Sequence, residues 1–318
     1  MSQNRIQFQQ GMSLPTFFER YGTEEQCVQA LVQARWGGGF TCSRCGGQRA
    51  WTWQRQAHAY RVCESCDHQC SVTAGTVMHH TKLPLRRWFL AMFLLSQAKN
   101  GISALELKRH LGVSYPTAWL VKHKLMLAMQ EAEADRQLTG RVEMDDAYLG
   151  GERSGGKPGR GSENKVPFVV AVQTMGPNHK PHRVCLAQIP HRLAEVSSFC
   201  SHHLQRPLTV WSDGLACFAA AQAAGIHQPV VTGGGSASAK DPRFQGVNTY
   251  LGNLKSAIKG TYRSFKFAKY APRYFAEFQF RFNRREDLET MLGSLVAAAI
   301  KRAPAPTRRS AGELEARC

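Results

Sequence analysis

The sequence predicts an α/β protein in which a mixed sheet flanked by helices follows two smaller N-terminal segments. Three observations carry that reading. Two Cys-x-x-Cys pairs, Cys42/Cys45 and Cys63/Cys66, stand near the start. Helical spacing of apolar residues dominates from about residue 84. From Arg141 the pattern changes to short strands and then to alternating helix and strand. The expected division is an N-terminal helix with a cysteine-rich segment over 1–80, a helical segment over 81–136, an α/β domain over 137–302 and a disordered tail over 303–318.

Charge narrows the class of partner. The 318 residues carry a formal net charge of +18, an excess that suits a polyanion, because each neutralised phosphate releases counterions. No apolar run is long enough to span a bilayer, and Met1–Gln10 lacks the apolar stretch of a signal peptide. The expected compartment is therefore reducing and cytoplasmic. In that setting ten cysteines with two Cys-x-x-Cys pairs read as metal binding rather than disulfides.

Residues 14–35 read as a helix with Phe17, Phe18, Cys27, Leu31 and Val32 on its apolar side. Trp36-Gly37-Gly38-Gly39-Phe40 ends it. Seventeen residues separate Cys45 from Cys63, with a hairpin expected over 50–62. Two knuckles supplying Cys42, Cys45, Cys63 and Cys66 make a zinc ribbon, in which the metal holds together a segment too small for its own core. Four thiolates leave no open coordination position, so this Zn²⁺ is structural. Cys70 and His68 read as bystanders. Arg44, Arg49, Trp51, Trp53, Arg55, Tyr60 and Arg61 suggest DNA contact on the hairpin, with a solvated basic face as the alternative.

Pro84 opens the next helix. Ser103 then caps a short helix that ends at Gly112, and Ser114 caps a longer one from Tyr115 to about Glu131. This is the layout of a helix-turn-helix, whose second helix would offer Thr117, Lys122 and Lys124 to DNA. An ordinary helical hairpin shares the pattern.

In the α/β part, strands are expected at 141–149, 166–174, 183–189, Leu208–Ser212 and Pro229–Thr232, with helices near 192–205, 215–224 and 245–259. Three antiparallel strands followed by alternating helix and strand is the order of an RNase H-like catalytic domain. On the first strand Val142 and Met144 point to one face, Glu143 and Asp145 to the other. Asp213 follows the fourth strand, and Asn248 lies on the late helix. Lys255 is seven residues beyond Asn248, nearly two turns, so Asn248, Lys255 and Lys259 share one side of that helix. Val247, Leu251, Leu254 and Ile258 form the adjacent apolar stripe. The segment Gly150–Lys165, with Lys157, Arg160 and Lys165, suits a DNA backbone contact or a plain hairpin tip. Gly233–Ala239 reads as a mobile linker. Residues 270–300 read as two helices whose aromatics belong to the core, and Glu277 is expected to pair with Arg273 or Arg281.

Taken in order, these pieces resemble the bacterial insertion-sequence transposases of the DDE type, in the group with an N-terminal zinc ribbon and an Asp-Asp-Asn-Lys signature. The likeness rests on Trp36 with the ribbon, Gly75-Thr76 through Trp88, Asp145 with its glycine-rich loop, Ser212-Asp213-Gly214, Asn248 to Lys255, and Tyr274 to Arg285. Asp146 departs from the glutamate common there. The resemblance implies cleavage at transposon ends and joining of the 3′-hydroxyl to target DNA. Asp145, Asp213 and Asn248 would hold Mg²⁺ (or Mn²⁺), with two ions about 4 Å apart, and Lys255 would contact a phosphate as a point charge. The implied partners are double-stranded DNA, as terminal inverted repeats and target, and a second copy of the chain in a synaptic dimer or larger assembly. The implied location is the bacterial nucleoid. Asn248 adds no negative charge, which keeps open a non-catalytic zinc-ribbon/helix-turn-helix regulator or an inactive transposase relic. A nuclease of the same fold that resolves branched DNA is a third option.

Overall fold

The structure is a computed structural model, and it describes residues 6, 8–55, 58–150, 165–231, 241–262 and 265–301. Lys157 and Arg160, the expected linker 233–239 and the expected tail 303–318 lie outside the described residues. The chain divides into two compact units, Met1–Glu131 with Arg284–Cys318, and Ala132–Asn283.

In the first unit the helix expected over 14–35 is two helices, α1 (Leu14–Tyr21) and α2 (Glu24–Trp36). The break is local chemistry. Thr23 Oγ1 accepts from Gln26 N at 3.2 Å while Gln26 Oε1 accepts from Thr23 N at 3.0 Å, a reciprocal cap that starts a new helix. Three short antiparallel strands follow, β1 (Ala50–Arg55), β2 (His58–Cys63) and β3 (Gln69–Ser71), in that order. Then come α3 (Leu85–Gln97), α4 (Ala104–Leu111) and α5 (Tyr115–Ala134). Ser103 Oγ accepts from Glu106 N, and Gly112 ends α4 in the left-handed conformation that an L side chain resists. The last helix, Leu288–Lys301, was expected in the α/β domain but groups with this unit. Its Ala299 carbonyl accepts from Val77 N at 3.2 Å and its Leu288 carbonyl from Gln97 Nε2 at 3.2 Å. Met291, Leu292, Leu295 and Val296 are its buried face.

The second unit is built on a five-stranded mixed sheet of β4 (Leu138–Leu149), β5 (Val166–Met175), β6 (Lys180–Ala187), β7 (Leu204–Ser212) and β8 (Ile226–Pro229). The spatial order is β6-β5-β4-β7-β8, with β4, β5 and β6 antiparallel and β7 and β8 added in parallel. This is the RNase H-like order. Several bounds differ from expectation, β6 and β7 each starting three or four residues earlier. Residues Ala216–Ala223 form a 3-10 helix rather than an α-helix. The fifth strand lies at Ile226–Pro229, earlier than expected, where His227 Nε2 meets Ser212 Oγ at 2.9 Å.

One face of the sheet buries Val142, Met144, Val169, Leu208 and Val210 against α6 (Leu193–His203) and the 3-10 helix. The other buries Ala147, Leu149, Phe168 and Val170 against α7 (Gln245–Ala257) and α8 (Phe267–Asn283). The edge strand β6 is closed by side chains of α8. Val184 N donates to Asn283 Oδ1 at 2.8 Å, Asn283 Nδ2 returns a bond to Val184 O at 3.0 Å, and Leu186 N donates to Gln279 Oε1 at 3.0 Å. Two amides thus occupy the ladder positions that a further strand would use, which blunts an edge prone to mispairing.

Candidate active site and metal centres

β4 and β7 lie side by side and parallel, with Met144 paired to Ser212. The next residue on each strand is an aspartate. Carboxylate oxygens of Asp145, Asp146 and Asp213 lie within 4.8 Å of one another. Asp146 N donates to Asp145 Oδ1 at 2.9 Å, and Leu215 N donates to Asp213 Oδ1 at 3.1 Å. Burial, followed by the charges of Asp146 and Asp213, pushes the Asp145 acid up to about 7; the Asp146 N–H and the ammonium of Lys255 oppose the rise. Like charges gathered this closely want a cation. Hard carboxylate oxygens gathered where the β4–β7 pairing ends fit a divalent ion such as Mg²⁺. Asp146 was missed as a member of the cluster, because strict strand alternation assigns it to the opposite face from Asp145. The signal available was its adjacency to Asp145.

Of the other expected site residues, Asn248 stands in the first turn of α7, partly buried, and Lys255 is exposed further along it; Lys259 is exposed in the π-helical turn Ile258–Tyr262 that follows, where an unbroken α-helix was expected. Val247, Leu251, Leu254 and Ile258 are buried against the sheet, as the stripe requires. The start of α7 is tied to β4. Glu143, fully buried, accepts from Val247 N through Oε2 at 2.9 Å. Burial pushes the Glu143 acid up to about 7 despite the Val247 N–H and the charge of Arg141. Glu277 is also fully buried. It accepts from Tyr262 Oη at 2.9 and 3.1 Å and pairs with Arg281 at 3.7 Å, the helical ion pair the sequence suggests.

In the first unit the sulfurs of Cys42, Cys45, Cys63 and Cys66 lie within 4.8 Å of one another. Cys42 and Cys66 are 3.7 Å apart, Cys45 and Cys63 3.5 Å. Four sulfurs about 2.3 Å from a tetrahedral Zn²⁺ would sit close to these separations. The backbone N–H of Cys45, joined by that of Arg44, pulls the Cys42 thiol down to about 6, which favours the thiolate that binds metal. Against the backbone N–H of His68, the sulfur of Cys45 and burial push the Cys66 thiol up to about 12. His68 and Cys70 stay outside the set, each near Ser43 Oγ, at 3.4 and 3.8 Å.

The helix-turn-helix residues divide. Thr117 is partly exposed and its N–H donates to Ser114 Oγ. Lys122 and Lys124 do not face outward, correcting the expected DNA contacts. Lys122 is fully buried, with Nζ donating to Ile102 O at 2.7 Å. Lys124 Nζ donates to Val77 O at 2.9 Å beside the Trp88 ring. The reason is helical phase: Ala118, Val121, Lys122 and Leu125 are successive positions of one buried stripe. Lys165 is half-buried beside Gly150, where β4 and β5 are joined.

Among the described residues no helix is long and apolar enough to cross a membrane. Residues 137–283 match the ISXO2-like transposase domain, and residues 22–69 match the transposase zinc-ribbon domain. An uncharacterized protein in transposable element ISH50 of Halobacterium salinarum is 27% identical over 219 residues, covering 62% of this chain and 69% of that relative. With a four-cysteine ribbon, an RNase H-like sheet and clustered aspartates in these matched segments, the chain carries a transposase zinc-ribbon domain followed by an ISXO2-like transposase domain.

Proposed function

We propose that this protein is a DNA transposase that cuts insertion-sequence ends and joins the freed 3′-hydroxyl to target DNA. The observation that carries the reading is the convergence of Asp145, Asp146 and Asp213 where the parallel pairing of β4 with β7 ends, with the charge of Lys255 acting on Asp145. Asp145, Asp213 and the amide oxygen of Asn248 are the ligands assigned to Mg²⁺ or Mn²⁺, and Asp146 joins them as a third carboxylate. When bound, the two ions would activate the attacking hydroxyl and stabilise the leaving oxygen. Lys255 holds a phosphate of the scissile strand as a compact positive charge. Lys259, Lys165, Lys157 and Arg160 neutralise backbone phosphates, and Thr117 contributes a hydroxyl contact.

A homodimer or larger assembly brings two transposon ends together, and the protein works in the cytoplasm on the bacterial nucleoid. A Mg²⁺-dependent strand-transfer assay on DNA carrying the inverted repeats that flank the gene tests this. Wild type should join ends, while Asp145→Ala and Asp213→Ala should lose at least about a thousandfold in rate, since one ligand of a shared ion is gone. Equal activity in all three proteins rules out the site. Tight DNA binding with no transfer by any of them favours a non-catalytic regulator.

A further inference from the structure

A fully buried carboxylate at Glu143 needs a reason. An apolar residue of similar volume commonly gives equal or greater stability than a buried ion pair. Glu143 lies two residues before Asp145 on β4, so the two side chains leave the strand on the same face. Its Oε2 accepts from Val247 N at 2.9 Å, and the next residue along that helix is Asn248. The helix supplies no cap of its own: the cap position is Phe244, without a side-chain hydrogen bond. Glu143 therefore does from 104 residues away what Ser or Asp would do locally.

A second contact runs from the same face of the strand. Arg141 Nη2 donates to Arg243 O at 3.0 Å, just before α7, and lies 3.6 Å from Glu143 Oε1. The guanidinium rests over Trp211, its centre 4.7 Å from the ring, two residues before Asp213. Gly246 makes the approach feasible. A Cβ there would come within 2.9 Å of Glu143 Oε2 and 2.6 Å of Thr174 Cγ2. Arg141 and Glu143 thus grip a carbonyl before α7 and an N–H inside its first turn.

We propose that Arg141 and Glu143 form a clamp that sets the spacing between the Asp145 strand and the Asn248 helix, making Glu143 a positioning residue for the metal site. This rests on the reading of Asp145 and Asn248 as ligands. Glu143 itself touches no reacting atom; it acts through Val247 and the helix that follows.

The test is Mn²⁺ binding by calorimetry on the full-length, zinc-loaded chain, with thermal unfolding recorded for every variant. Loss of a supporting contact of this kind weakens a metal site by roughly 10- to 100-fold, and that is the loss expected for Glu143→Leu and Gly246→Ala. Glu143→Gln keeps an oxygen for the Val247 N–H and should stay within about threefold of wild type, because the helix cap survives. In an Asn248→Ala background, Glu143→Leu should add little further loss, since both changes remove the same ligand. Undiminished Mn²⁺ affinity in Gly246→Ala, or an equal loss with and without Asn248, overturns the clamp; Gly246→Ala decides the matter should Glu143→Leu fail to fold. Asp145→Ala separates the two claims. If it binds Mn²⁺ like wild type, the metal site itself is wrong, whereas loss there with none in Gly246→Ala removes only the clamp.

Discussion

Asp145 Oδ1 accepts a 2.9 Å hydrogen bond from the backbone N–H of Asp146, whose own carboxylate shares the same cluster. The bond favours ionised Asp145, yet burial and the two neighbouring charges outweigh it, raising the acid from 3.8 to about 7. The folded state therefore holds a proton that the unfolded chain releases. The resulting stability is whole below the unfolded value and is lost as pH rises through about 7.

For protein free of divalent ions, the melting temperature should accordingly fall as the pH is raised from about 4 to about 7, the window between the two acid constants. Mn²⁺ should restore it at the higher pH, because a ligand that binds only the folded state stabilises it. Asp145→Asn should make the dependence shallower, leaving the share of Glu143, whose acid is likewise pushed up to about 7. Differential scanning fluorimetry across a pH series reads all three, and an unchanged slope in the variant would remove Asp145 as its source.

The ribbon offers a sharper loss. Its own core is small, formed by Phe40, Cys42, Cys63 and Cys70 with Trp36, Ala50 and Cys66 against it. Such a segment relies on metal ligation for its folding energy. One zinc per chain is expected in the purified protein. Cys42→Ser or Cys63→Ser should release it and expose residues 40–71 to proteolysis, whereas Cys70→Ser should keep it. Elemental analysis with limited proteolysis distinguishes these results; retention of zinc by Cys63→Ser would contradict the four-sulfur site.

Lys122 and Lys259 should part company in DNA binding. Lys122 is enclosed and bonded to Ile102 O, while Lys259 is exposed. Lys122→Ala should cost about 2–4 kcal/mol of stability, through a cavity and an unpaired carbonyl. It should leave the salt dependence of DNA affinity unchanged. Lys259→Ala should reduce the slope of log affinity against log salt by about 0.9, one phosphate contact's share. Binding isotherms at several salt concentrations check the pair. A shallower slope in folded Lys122→Ala protein would reverse the assignment.

Asn283 is the fourth test. Its amide serves both Val184 N and Val184 O and donates to the buried Glu133 Oε2 at 2.7 Å. Asn283→Leu would leave those groups without that partner in a site closed to water, at a cost of roughly 3–5 kcal/mol. Urea unfolding should register it, and a shift of less than about 1 kcal/mol, the size of an exposed contact, would mean that solvent reaches Glu133.

Much of this arrangement was legible in the sequence. Cysteine spacing marks the ribbon because coordination geometry dictates it, and strand order marks the sheet. Strand order also brings Asp145 and Asp213 together, because their strands are parallel neighbours. What sequence could not reveal were contacts set by helical phase and by distant partners. Lys122 looks like a groove-facing cation until its neighbours Ala118, Val121 and Leu125 are seen buried on the same stripe. Glu143 looks solvated until a helix 104 residues later settles on it. The break at Gly22–Thr23 was readable from the Thr-x-x-Gln box, which apolar periodicity alone passes over.

The bond between Asn283 and Glu133 buttons the two ends of the 132–283 unit together. A stretch of chain whose first and last turns meet at one point can be spliced into a host, or lifted out, without redrawing what surrounds it.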